Sequence, residues 1–98
     1  MFVQIIDART SGSVEELQAL DDEWERNTEG RRTIRRSFLL QDRSDASHLL
    51  IVAFFDDADS AKVNSELPET DALAQTMMGT AIGAPTFTDF DLRDERTY

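Results

Sequence analysis

The sequence predicts an α+β domain: a four-stranded antiparallel sheet with its helices packed on one face. Three observations carry this. Short β-rich runs and helical runs alternate in the order strand, helix, strand, strand, helix, strand. The third run, His48 to Phe55, is apolar at seven of its eight residues, too rich for a strand with one wet face and too short to span a bilayer. The second helical run is interrupted by Pro68, which fits the first turn of a new helix and disfavours helical geometry at Leu67.

In chain order, "FVQIIDA" (Phe2 to Ala8) is rich in branched residues and meets the turn cluster "TSG", which predicts strand one. Ser13 with Glu16 forms a capping-box pattern, and Leu17, Leu20 and Trp24 follow at helical spacing, with Gly30 as the stop. "RRTIRRSFLL" (Arg31 to Leu40) reads as strand two, and polar "QDRSDAS" (Gln41 to Ser47) as a hairpin loop into strand three. Asp57 or Asp59 is the expected cap of the second helix, with Ala58 and Ala61 facing inward. "PETDALAQTMM" is an offset helical piece that carries Leu73, Met77 and Met78 toward the core and stops near Gly79. After the loop "GTAIGAP", the alternation of "TFTDFDL" (Thr86 to Leu92) predicts strand four. One domain, residues 1–92, is expected, followed by a charged tail, 93–98, that frays.

Composition sets limits on function. A chain of 98 residues buries roughly 60–65% of its unfolded surface, so a partner that covers more would stabilise it. Twenty acidic against 10 basic residues give a net charge of −10, which argues against nucleic acid or anionic lipid as a partner. Without cysteine there is no disulfide or thiolate metal site, which suits a cytoplasmic setting, and the apolar start "MFVQIIDA" lacks the basic region of a signal peptide.

This element order is the ferredoxin-like split βαβ. Its helices cover one sheet face, yet strand three is apolar at both parities: Leu50, Val52 and Phe54 on one side, Leu49, Ile51 and Phe55 on the other. A second copy packed sheet against sheet is the economical cover for the remaining face, so a homodimer is expected, with Leu49 or Ile51 as the position where an aspartate would break it. Arg31, Arg32, Arg35, Arg36 and Arg43 lie on or near strand two, and Asp89, Asp91 and Asp94 on or near strand four. These are opposite edges of such a sheet, so their charges can meet only across two copies. Two other readings stand beside that one: the arginines solubilise an edge strand, or they bind an anion.

The βαββαβ order, the apolar third strand, the broken second helix around "NSELPET" (Asn64 to Thr70) and the closing "PTFTDFDL" resemble the dimeric α/β-barrel superfamily, and within it the antibiotic biosynthesis monooxygenase group. The resemblance implies a homodimer with a ligand pocket in each subunit between sheet and helices. It also implies cofactor-independent oxidation of a phenolic or quinol-like substrate, haem degradation, or ligand binding alone. Haem-degrading relatives use an Asn on strand one, a Trp on strand three and a His on the second helix. Here those places offer Gln4, Phe54 and Phe55, and no histidine. The resemblance to cofactor-free oxygenases, which need no metal or other cofactor, makes Trp24, Arg36 and Asn64 the pocket candidates, since the one tyrosine, Tyr98, lies in the tail.

Each candidate has a second reading. Trp24 can stack on a flat ligand or anchor the core with its indole N–H locally paired. Asn64 can bond a ligand hydroxyl or end a helical segment. His48, the only histidine, can accept a proton or mark a solvated strand end. Met77 and Met78 suit a pocket wall or an ordinary core. The pairs Asp21/Asp22 and Asp56/Asp57 read as solvated faces and a helix start rather than a metal site. A hydrophobic or aromatic small molecule is the expected partner besides a second copy, with a purely structural dimer as the alternative.

Overall fold

A computed structural model describes all 98 residues, Met1–Tyr98. Its elements are β1 (Phe2–Arg9), α1 (Val14–Asn27), β2 (Arg36–Asp42), β3 (Asp45–Phe55), α2 (Ala58–Glu66), α3 (Pro68–Met78) and β4 (Thr86–Asp91). The strands form one antiparallel sheet in the order β2-β3-β1-β4, the ferredoxin-like arrangement with β2 and β4 at the edges.

Local chemistry sets the boundaries. Ser13 holds extended geometry and its Oγ accepts the Glu16 N–H at 3.1 Å, which starts α1. Thr28, fully buried, ends it: its N–H and its hydroxyl both donate to the Trp24 carbonyl, at 3.0 and 2.7 Å. Gly30, at φ 80°, then reverses the chain. Asp57 caps α2 by accepting the Ser60 N–H at 2.7 Å. Leu67 is extended (ψ 133°) because Pro68 follows it, and this splits the second helical run into α2 and α3, the break expected from the sequence.

Four expectations shift. β2 begins at Arg36, not Arg31, because the Arg31 and Arg32 amides donate to the Thr28 carbonyl in the turn after α1. The expected loop from Gln41 to Ser47 shrinks to Arg43 and Ser44 between paired Asp42 and Asp45. Its polar side chains instead decorate extended strands, as where Gln41 Nε2 donates to the Ala46 carbonyl. In α2 the buried position is Asn64, while Ala58 is exposed. Met78 points to the surface; Leu73 and Met77 are the half-buried residues of α3.

The sheet register decides which parity faces which way. Phe2, Gln4, Ile6 and Ala8 pair with Phe55, Ala53, Ile51 and Leu49, and this set faces the helices. Leu49, Ala53 and Phe55 are buried there. The opposite set, without helices over it, carries Val3, Ile5, Asp7 and Arg9 of β1, Leu50, Val52 and Phe54 of β3, Phe38 and Leu40 of β2, and Phe90 of β4, with Val3 alone of these buried, between Phe54 and Phe90. Phe38, Leu40 and Phe90 are each about half exposed, so this face is an apolar patch without helices over it. The expectation that Leu49 or Ile51 would face a second copy is thereby corrected: both point toward the helices, and Leu50, Val52 and Phe54 form the open surface.

The arginines are also redistributed. Arg31 pairs with Glu69 at 2.6 Å and Arg35 with Asp56 at 2.7 Å, within the chain. Arg36 lies 4.8 Å from the centre of the Phe54 ring and reaches Glu95 of the C-terminal segment at 3.2 Å. Arg36 is on the open face, whereas Asp89 and Asp91 pair with Gln4 and Phe2 on the helix side, so these charges occupy opposite faces of the sheet. No helix is long and apolar enough to cross a membrane.

Candidate functional site

The helices do not close completely onto the sheet. Between them lies a cavity of about 360 Å³, walled by Ile6 of β1, Leu49 and Ile51 of β3, Leu17 of α1 and Met77 of α3, with Phe87 of β4 at one side. The wall follows from sequence pattern: Ile6, Leu49 and Ile51 share one sheet parity, and Leu17 and Met77 are the inward positions of their helices. Its volume is at the lower end of the range of about 300–1,000 Å³ typical of small-molecule pockets. Met78 and Phe87, both more than half exposed, give the opening an apolar rim.

Polar groups around this cavity are already engaged. Thr10 bonds through its hydroxyl to the Thr80 hydroxyl at 3.2 Å and accepts the Gly12 N–H at 3.0 Å. The Arg9 carbonyl accepts the Ile82 N–H at 2.8 Å, and the Arg9 guanidinium pairs with Asp45. Asp45, also bonded by the Ser47 hydroxyl and N–H, is held down at about 2 and stays ionised. The cavity therefore offers dispersion and apolar burial, with no free donor or acceptor at its centre.

A second cleft of about 240 Å³ adjoins it across Leu17, Ile51 and Met77 and opens between α1 and β2. Asp21 borders this cleft, and its carboxylate makes no hydrogen bond or ion pair within the chain. Although Asp21 as a whole is exposed, partial loss of water pushes its carboxyl pKa up, with Glu25 and Asp22 adding to the rise and Arg32 opposing it. Asp21 was legible as half of an acid pair only. The missed signal is its spacing of four from Leu17, which puts it on the helix face that turns to the sheet.

The four residues singled out from the sequence lie in four separate places, and none borders the 360 Å³ cavity. Trp24 is buried between α1 and α3 and donates its indole N–H to Thr70 Oγ1 at 2.9 Å, beside a shallow cleft of about 170 Å³. Asn64 is buried and its Oδ1 accepts the Thr33 N–H at 3.1 Å, tying α2 to the segment before β2. Arg36 and His48 are on the open face of the sheet, away from the helices. His48 Nε2 lies 2.8 Å from Asp7 and Nδ1 2.9 Å from Asp42, so one imidazole ties three strands together. Hydrogen bonds in which the carboxylates of Asp42 and Asp7 accept from the ring raise the His48 pKa, and the bond to Asp42 lowers that of Asp42. Met77 does reach the cavity, and Met78 its rim. No cluster of three or more His, Asp or Glu side chains is placed to hold a metal ion.

The sequence matches no protein-family model and no curated protein. Solved structures do match. SnoaB, a cofactor-independent oxygenase from Streptomyces nogalater, superposes with a TM-score of 0.79 at 14% sequence identity, over 96% of this chain and 94% of SnoaB. A structure described as an antibiotic biosynthesis monooxygenase gives a TM-score of 0.77 at 14% identity, over 96% of this chain and all of the other. Rv0793 from Mycobacterium tuberculosis gives 0.74 at 14% identity, over 99% of this chain and 100% of that one. With β2-β3-β1-β4 topology and a broken second helix on one face, the chain has the fold of the antibiotic biosynthesis monooxygenase-like proteins over nearly its whole length.

Proposed function

We propose that the protein binds a hydrophobic small molecule between its sheet and helices and works as a homodimer in the cytoplasm. The cavity of about 360 Å³ among Ile6, Leu17, Leu49, Ile51 and Met77 is the observation that carries the binding reading. Filling it with an apolar ligand removes the remaining exposed surface of these side chains from water, at about 25 cal/mol per Å². Trp24, Arg36, Asn64 and His48 support this role from outside the cavity, as anchors of the helices and the sheet.

A second copy is the proposed cover for the open face. Phe38, Leu40 and Phe90 stand half exposed beside Leu50, Val52 and Phe54 on a continuous apolar surface, and a twin presents the same surface in return. Neither nucleic acid nor membrane is a proposed partner, given the charge of −10.

Likeness in fold to a cofactor-independent oxygenase favours a second reading, in which the bound molecule is an aromatic quinol oxidised by molecular oxygen. A single experiment tests both. Dihydroxynaphthalene is titrated into the protein in air while binding and oxygen consumption are followed, alongside an Ala74→Phe variant that fills the cavity mouth. Saturable binding lost in the variant supports the pocket, and oxygen uptake lost with it supports catalysis. Uptake no faster than in buffer removes the oxygenase reading, and binding unchanged in Ala74→Phe removes the pocket reading.

A further inference from the structure

We infer that the ligand is a hydrophobe with an uncharged hydrogen-bond donor at one end, and that Asp21 receives this donor; the inference rests on the pocket reading above. Two neighbouring spaces share Leu17, Ile51 and Met77: the apolar cavity of about 360 Å³ and the cleft of about 240 Å³ bordered by Asp21. Met77, an unbranched side chain, is the flexible part of the shared wall. A ligand whose body fills the first space reaches the second with its head.

Three features define the head group. No buried side-chain polar atom around the cavity lacks a partner, and the Arg9 guanidinium is paired with Asp45, so a head left at its centre loses its own hydrogen bonds with no return. Asp21, in contrast, has no partner within the chain, and an ionised carboxylate only accepts. It therefore suits a hydroxyl. An anionic head is disfavoured: Asp22 and Glu25 stand beside Asp21 against Arg32, the cation that borders the cavity, Arg9, is paired with Asp45, and the whole chain carries −10. Sequence position makes this arrangement, since Leu17 and Asp21 occupy successive turns of one helix face, the first supplying apolar wall and the second the acceptor.

The test uses three naphthalenes of one shape as competitors for the neutral dye Nile red: 2-naphthol, with a donor; 2-methoxynaphthalene, without one; and 2-naphthoate, an anion. On the full chain near neutral pH, 2-naphthol should displace the dye at about one-tenth the concentration that 2-methoxynaphthalene needs, as a hydrogen bond to a charged group provides. The naphthoate should be weakest. Asp21→Ala, at an exposed position, should leave 2-methoxynaphthalene unchanged and erase the advantage of 2-naphthol. Equal binding of naphthol and its methyl ether, or a preference that survives Asp21→Ala, overturns the role of Asp21 and leaves the cavity standing. Tight binding of the naphthoate overturns the head-group assignment in the same way. Nile red that fails to saturate, or that binds Ala74→Phe unchanged, overturns the cavity and this inference together.

Discussion

Phe38→Ala should dissociate the proposed dimer while leaving the subunit folded. Phe38 is 46% exposed on the open face, where its ring meets Phe54 edge-on with centroids 5.8 Å apart. A phenylalanine carries about 200 Å² of buriable surface, so about 90 Å² remains for a partner to cover, worth about 2 kcal/mol at about 25 cal/mol per Å². A two-fold interface counts the loss in both copies, for about 4–5 kcal/mol, or roughly a thousandfold in Kd. Sedimentation equilibrium across a concentration series measures this directly. The wild-type chain should sediment at about twice 11.1 kDa and the variant near 11.1 kDa at micromolar concentration. Leu49→Ala is the control: Leu49 is 3% exposed on the helix side, so the change should cost about 2–5 kcal/mol of subunit stability without a specific effect on association. A wild-type monomer, or a Kd that Phe38→Ala leaves untouched, refutes the assignment of the open face.

Other predictions follow from the same contacts. Asn64→Ala leaves the Thr33 N–H without its acceptor and should cost about 1–3 kcal/mol by urea titration, while Nile red affinity stays unchanged; a lost affinity with intact stability would return Asn64 to the ligand site. Thr70→Val should cost about 1 kcal/mol by orphaning the Trp24 indole, seen as a lower urea midpoint. His48 lies between the carboxyl groups of Asp7 and Asp42, and only a doubly protonated ring can donate to both together. Its folded pKa is raised above the ordinary 6.5, so its stabilisation is complete below about pH 6.5 and is lost as pH rises through the folded value. The urea midpoint of wild type should therefore exceed that of His48→Gln at about pH 5.5, and the gap should shrink as pH rises through the folded value; a gap that does not change with pH contradicts the bridge.

Element order was readable because its punctuation is local: Ser13 with Glu16, Pro68 and the branched run of β3 each act on their own backbone. The start of β2 was not, since "RRTIRR" has strand-like content but a turn claims the Arg31 and Arg32 amides. Which parity of β3 meets the helices was ambiguous because both are apolar. The clue lay across the sheet: Asp7, Arg9 and His48 share the parity of Leu50 and Val52, and a face with those charges at its end is the open one. Pocket residues were the least legible. A polar side chain invites a chemical role, yet Asn64, Trp24 and Arg36 bond within the chain, while the cavity wall is made of residues that look like ordinary core. Only Met77 and Met78 signalled it, through their flexibility.

Binding in the sheet–helix cavity is most directly tested by methyl NMR during titration with 2-naphthol. Saturable shifts at Ile6, Leu17, Leu49, Ile51 and Met77, with Leu40, Leu50 and Val52 unmoved, are the predicted result. Shifts confined to Leu40, Leu50 and Val52, or shifts that never saturate, would contradict it.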